Sequence, residues 1–343
     1  MWQHYLSYHD NPLFRHFTKS TISWYLSIVS ILVNLLTITA ALSSSSILML
    51  WFILELNLIS FIGILLFYSS KYSKSVGVKY FSFQVNISVL LLFCLVVKDF
   101  RHNFLENLLL VVVAAKLGIA PFHIWFVSIM SKVEWSVFLW IAIPQKVIPL
   151  LLLSLSFPAQ AFSGLLMLAI FTSLAHRLIQ TKIKKVMALS SVFSLNWVVL
   201  SSVNSKTLWV VFFIFYRVIS ISTIIIINRL VAVSQSSSLQ VKAISLSTIV
   251  LIITLSGIPP RPMFFLKVSV LINLFSTGLT ITGYFIIRAS LIILYIYINI
   301  CLNIITVAMR SNYHSIIINN QLYLISTIAV LIALITSTCL FLV

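Results

Sequence analysis

Acidic side chains are nearly missing from this chain. Five Asp and Glu stand among 343 residues, against 22 Lys and Arg, and charged residues of both signs make up only 8%. A soluble globular domain has about 25% of its residues charged, so that class is excluded. Cysteine is scarce too. Cys94, Cys301 and Cys339 all lie in apolar segments without CxxC or His/Cys spacing, so neither a disulfide framework nor a metal or iron-sulfur site is expected, and no redox centre or resident cofactor. Hydrocarbon fills the sequence instead: 61% of residues are hydrophobic and the mean hydropathy is +1.14. The net charge of +17 is scattered over short loops and forms no stripe on a polar domain, so nucleic acid is not an expected partner.

A hydrocarbon core of roughly 30 Å needs about 20 apolar residues per helix. Runs of that kind predict an all-α membrane protein with spans near 22–42, 46–68, 80–98, 105–130, 135–157, 159–179, 187–204, 206–229, 243–277, 280–307 and 321–343. The first run is too long for a signal-peptide core, although Ala40-Ala41-Leu42-Ser43 imitates a cleavage site. On this layout thirteen Lys and Arg fall in loops on the N-terminal side, among them Arg15, Lys71, Arg177 and Lys182, against Lys98, Arg101 and Lys206 opposite. The bias places the N-terminus in the compartment of synthesis. Six cations, Lys116, Lys146, Arg217, Arg261, Lys267 and Arg288, fall inside spans.

Two spans are too long for one straight crossing. The fourth contains Gly118-Ile119-Ala120-Pro121-Phe122-His123, and the ninth contains Gly257-Ile258-Pro259-Pro260-Arg261. A repeat of five helices must be inserted upside down, and paired interruptions in two such repeats are a pointer to a transporter core. The predicted organisation is an N-terminal extension over 1–21, a first five-helix repeat over 22–157, an inverted second repeat over 158–307, and a loop with a C-terminal helix over 308–343. Freed backbone groups at Gly118, Pro121, Gly257, Pro259 and Pro260 cannot face lipid and must line protein or a hydrated cavity.

A charge at mid-bilayer costs roughly 2.5–3.5 kcal/mol on insertion scales, while each Leu or Ile returns only about 0.3–0.6 kcal/mol. Glu55 is the one acid deep inside a span, and it needs a cation or a proton. Lys116 precedes Gly118 by two residues, Lys146 sits between Pro144 and Pro149, and Lys267 follows the second break by about two turns. Burial favours a neutral amine and a nearby carboxylate favours ammonium, so a Glu/Lys pair of changing separation can take up and release a proton. His123 is a further candidate station, because imidazole titrates near neutrality. Plainer readings stand beside these. Lys116 and Lys267, and less readily Lys146, which is farthest from both ends of its span, can snorkel to an interface, Glu55 can be a structural ion pair, and His123 can be a packing residue. Arg217 and Arg288 read as interface, lipid-headgroup or partner contacts, and Lys132 with Glu134 as a solvated loop pair.

Several stretches together resemble the antiporter-like subunit family, in particular the subunit 2 members from mitochondrial NADH:ubiquinone oxidoreductase, complex I. They are Trp51-Phe-Ile-Leu-Glu55-Leu-Asn57, Lys79-Tyr-Phe-Ser-Phe-Gln84, Lys116-Leu-Gly-Ile-Ala-Pro-Phe-His-Ile-Trp125, Gln145-Lys146-Val-Ile-Pro149, Lys185-Val-Met-Ala-Leu-Ser-Ser191 and Gly257-Ile-Pro-Pro260 followed by Lys267. The resemblance implies inverted five-helix repeats and the shortened eleven-helix form found in animal mitochondria. It implies a central hydrophilic axis of Glu55, Lys116, Lys146 and Lys267, with Glu55 and Lys116 as a gating pair. NADH, FMN, iron-sulfur clusters and ubiquinone are then expected in other subunits. Implied partners are membrane-arm subunits, including a neighbouring antiporter-like subunit and small helical subunits, together with phospholipids. The implied location is the mitochondrial inner membrane, N-terminus in the matrix. The chain departs from the family at Val127-Ser128, where a proline-glutamate pair is usual, at Ser194, where histidine is common, and at Asn196 and Asn299 in place of glycine and arginine.

The expected function is therefore proton translocation driven by quinone reduction elsewhere. The rivals are a cation/proton antiporter subunit and a structural membrane scaffold. A single buried acid among lysines suits protons better than Na⁺, which prefers several oxygen ligands.

Overall fold

The computed structural model describes residues 12–68, 73–97, 103–156, 163–180, 182–202, 207–233, 238–259 and 261–310. Among these residues every regular element is a helix, as a bilayer demands, because a helix satisfies its own backbone polar groups. The helices are α1 (Pro12–Ser43), α2 (Ile47–Tyr68), α3 (Ser73–Val97), α4 (Asn103–Leu117), α5 (Ile124–Met130), α6 (Trp135–Ala142), α7 (Pro144–Ser156), α8 (Ser163–Ile179), α9 (Ile183–Ser201), α10 (Leu208–Val233), α11 (Ser238–Ser256), α12 (Pro262–Ser276) and α13 (Thr280–Arg310).

Seven stretches are long and apolar enough to cross a membrane: Tyr25–Ser43, Ile47–Leu66, Ser75–Val97, Trp135–Leu155, Ile183–Ser201, Leu208–Arg229 and Thr280–Leu302. Four shorter apolar helices accompany them, at Asn107–Leu117, Gly164–Ile179, Ser245–Ser256 and Pro262–Ser276. The chain is a multi-pass membrane protein. The run at 321–343 lies outside the described residues, as do residues 1–11 of the expected N-terminal extension; from Pro12 the chain is already helical and continuous with the first span.

Both expected breaks are present. The fourth span divides into α4 and α5, and the ninth into α11 and α12. Gly118 and Gly257 adopt φ of 70° and 77°, which L side chains rarely tolerate. The Ala120–Pro121 peptide is cis. A third interruption departs from the expectation of an unbroken fifth span: α6 ends at Ala142, and α7 restarts at Pro144, whose ring supplies no N–H to continue the ladder. Lys146 therefore sits in the first turn of a helix, not in the middle of one.

The chain forms two compact units, residues 1–117 with 128–155, and residues 118–127 with 156–343. In the first, α1 and α2 are joined by amides and hydroxyls inside the hydrocarbon. Asn34 Nδ2 donates to Ser60 Oγ at 3.0 Å, and Asn57 Nδ2 donates to Thr37 Oγ1 at 2.9 Å. Gly63 lets the two backbones approach, since a Cβ there would lie 3.0 Å from Ser30 Cβ. Small residues and side-chain hydrogen bonds bring membrane helices together where lipid removes the hydrophobic incentive. Trp51 Nε1 donates to the Ser88 carbonyl at 3.1 Å, tying α2 to α3, and Tyr80 donates to Gln145 Oε1 at 3.3 Å, tying α3 to α7.

In the second unit α9 is the axis: every residue from Val186 to Ser201 is buried. Its Trp197 stacks on Phe212 of α10, ring centroids 6.3 Å apart and planes 9° from parallel. Its serines are satisfied locally, as Ser190 and Ser194 donate to the carbonyls of Met187 and Ser191 at 2.6 and 2.9 Å. That pairing lets a helix with Ser190, Ser191 and Ser194 sit at the core.

Candidate functional site

Glu55 projects from the middle of α2 and Lys116 from the last turn of α4, immediately before the first break. Their charged atoms stand 3.8 Å apart, with the Lys116 side chain 4% and the Glu55 side chain 24% exposed. The two nitrogen and oxygen atoms make no hydrogen bond with each other or with another described residue. The pair is thus loose: close enough for attraction, too far for a shared proton without movement or water. Two unit charges at 4 Å attract by about 4 kcal/mol at an effective dielectric of about 20. The buried ammonium loses several kcal/mol of hydration and the part-exposed carboxylate loses less, so much of the attraction is offset.

Lys146 is 3% exposed in the same unit, in the first turn of α7. Lys116 and Lys146 both fail the snorkelling alternative, since neither amine reaches a surface of the chain.

Lys267, on α12 of the second unit, is held by the second break. Its Nζ donates to the carbonyl of Ser256 at 2.8 Å, the last residue of α11, and lies 5.6 Å from the centre of the Trp197 ring. An interrupted helix leaves its terminal carbonyls without N–H partners, and a lysine supplies the missing donor. Gly257 makes room: a Cβ there would come within 2.9 Å of Lys267 Nζ. Pro259 ends the turn, and Pro260 lies outside the described residues. At the first break, a Cβ on Gly118 would stand 3.2 Å from Phe126 Cβ and 3.3 Å from Trp125 Cζ2. The backbone turns there through Phe122 N–H to the Ile119 carbonyl, 2.9 Å.

His123, in the second unit and 3% exposed, contacts a residue that the sequence reading passed over. Its Nε2 lies 2.7 Å from Nδ1 of His176 in the last turn of α8. The two histidines are 53 positions apart and share no motif, so no spacing could have announced them.

The arginines divide. Arg288 is exposed on α13, on a face shared with Ile281, Tyr284, Leu291 and Tyr295, as an outward contact should be. Arg217 is not outward: it is 4% exposed, with its guanidinium 4.6 Å from the Phe213 ring centre and 5.2 Å from that of Tyr216. The expectation of a lipid or partner contact at Arg217 is corrected accordingly; an aromatic-rich stretch of α10 folds around the cation. Arg177, 1% exposed, lies over the Tyr297 ring at 4.5 Å. Residues 156–343 contain no Asp or Glu at all, so rings stand where counter-ions would. Lys132 and Glu134 are both exposed, as a solvated pair would be. Among the described residues no cluster of three His, Cys, Asp or Glu forms that could hold a metal ion.

Comparison with known proteins gives consistent likenesses. Residues 95–293 match the model of the family described as NADH:quinone oxidoreductase/Mrp antiporter, transmembrane. The chain is 31% identical over 283 residues to NADH-ubiquinone oxidoreductase chain 2 of Anopheles gambiae, covering 79% of this chain and 83% of that one. It is 27% identical to the protein of the same name from Lumbricus terrestris, covering 77% and 82%. In fold it is similar to a chain of respiratory complex I from Thermus thermophilus, with a TM-score of 0.75 at 17% identity over 91% of this chain and 78% of that one. It is also similar to a chain of the Mrp complex from a Dietzia species, with a TM-score of 0.68 at 14% identity over 79% and 59%.

Proposed function

Because the chain belongs to the NADH:quinone oxidoreductase/Mrp antiporter transmembrane family, we propose that it is a proton-translocating subunit in the membrane arm of a respiratory NADH:ubiquinone oxidoreductase. Glu55, Lys116, Lys146 and Lys267 form its relay, and His123 is a further station. The observation that carries this reading is the loose Glu55–Lys116 pair at the first break, 3.8 Å apart, with the amine buried and the carboxylate part-exposed. A tight salt bridge would hold its proton, whereas a separated pair can be opened by a small shift of either helix. When α2 and α4 close, the carboxylate favours ammonium at Lys116. When they part, burial favours the neutral amine, and the proton passes on through water admitted at the interruptions.

The remaining parts of the reading follow from the family and the sequence. The helices are arranged as two inverted five-helix repeats, 22–157 and 158–307, with a C-terminal helix in 308–343 making eleven in all. NADH, FMN, iron-sulfur clusters and ubiquinone bind other subunits, so this chain contributes to catalysis by moving protons. Its neighbours are another antiporter-like subunit, small helical subunits and phospholipid. The membrane is the mitochondrial inner membrane, and the N-terminus faces the matrix. In vesicles containing the assembled complex, Lys146→Met should abolish or greatly reduce proton pumping per NADH oxidised. An unchanged ratio would overturn the relay.

A further inference from the structure

Resting on the proton-translocating reading, we propose that His176 and His123 form a two-imidazole proton wire linking the basic end of α8 to the backbone of the first break. His123 Nε2 and His176 Nδ1 stand 2.7 Å apart, a distance that holds one proton between two nitrogens. His123 is 3% exposed, and its remaining nitrogen, Nδ1, lies toward the backbone of Pro121 without reaching a full hydrogen bond to any described residue. That nitrogen is therefore available to the interruption itself. His176 occupies the last turn of α8, partly exposed, and is followed by Leu178 and Ile179, which are 61% and 76% exposed. One ring thus reaches outward and the other ends inside.

The transfer balances with N–H bonds alone. In one tautomer His123 carries its proton on Nδ1, beside Pro121, and His176 donates from Nδ1 to His123 Nε2. A proton arriving at His176 Nε2 forms an N–H bond there. The His176 Nδ1 proton crosses to His123 Nε2, and the His123 Nδ1 proton leaves toward the backbone and water of the break. Both rings finish in the opposite tautomer, and the wire resets by ring reorientation or by the reverse passage. Lys185 on α9 is the charged side chain that acts on His176 from a neighbouring helix, and Arg177 follows it in sequence with its guanidinium over Tyr297.

A packing role and a relay role separate by chemistry. His176→Gln keeps an amide able to hydrogen-bond His123 but cannot pass a proton, and His176→Ala opens space for free imidazole. Loss of a positioned proton-transfer group slows its step by about 100-fold or more. In vesicles containing the assembled complex, His176→Gln should therefore lower the protons moved per NADH oxidised and raise the solvent deuterium effect on pumping, and added imidazole should restore pumping to His176→Ala. A wild-type ratio in His176→Gln, or no recovery with imidazole, overturns the wire. If Lys146→Met loses pumping while His176→Gln retains it, only the wire fails. If both retain it, the translocation reading itself fails.

Discussion

Replacing Glu55 by Gln removes the carboxylate beside Lys116 and keeps its shape. The attraction lost is about 4 kcal/mol at an effective dielectric of about 20, for charges 3.8 Å apart. The hydration penalty of the Lys116 ammonium, 7% exposed, is untouched. The amine then has no state in which a counter-charge stabilises its proton, so movement of α2 against α4 no longer changes what Lys116 holds. Glu55→Gln should therefore lower the ratio of protons moved to NADH oxidised, measured with a pH-sensitive dye in vesicles carrying the assembled complex. Lys116→Met should act through the same loss. The double variant should be no worse than the more severe single, a departure from additivity of about 1–3 kcal/mol when the rate effects are expressed as free energies. Simple addition of the two effects, or a wild-type ratio in Glu55→Gln, would refute the gating pair.

Three further outcomes follow from local geometry. Gly257→Ala combines a φ of 77° with a Cβ 2.9 Å from Lys267 Nζ, so it should displace the amine from the Ser256 carbonyl and destabilise the break by about 1–3 kcal/mol, read as a lowered thermal midpoint and reduced pumping. Asn57→Leu removes the donor to Thr37 Oγ1 and should cost about 0.6–2 kcal/mol of helix association in the membrane, measurable by reversible unfolding in mixed micelles. Arg217→Met should leave the thermal midpoint unchanged or raise it, because a buried guanidinium among rings gives up hydration without a carboxylate in return; a fall of several degrees would indicate a counter-ion supplied from elsewhere.

The helices and their two main interruptions were legible because the bilayer punishes polar backbone so heavily that hydropathy and a few Gly and Pro residues decide the pattern. Glu55 and Lys116 stood out for a similar reason, as charges too costly to bury without use, and they meet in one unit. Other features depend on three-dimensional neighbours. The pause at Ile143 arises from Pro144 within an otherwise uninterrupted apolar run, where a proline can kink a helix or end it. The direction of Arg217 was misread because lipid and an aromatic core look alike in sequence; only the rings of Phe213 and Tyr216 around the guanidinium distinguish them. His176 reads as an isolated polar residue at the end of a span until α8 packs beside the residues of the first break.

The acceptor for Lys267 is the carbonyl of Ser256, whereas the partner of Lys116 is a side-chain carboxylate. A main-chain oxygen has no second protonation state, cannot swing away on a rotamer, and survives any point substitution at its own position. The two amines are consequently anchored by unlike means: a carboxyl-modifying reagent can disarm the holder of Lys116, while Lys267 can be released only by moving the helix end that presents its oxygen.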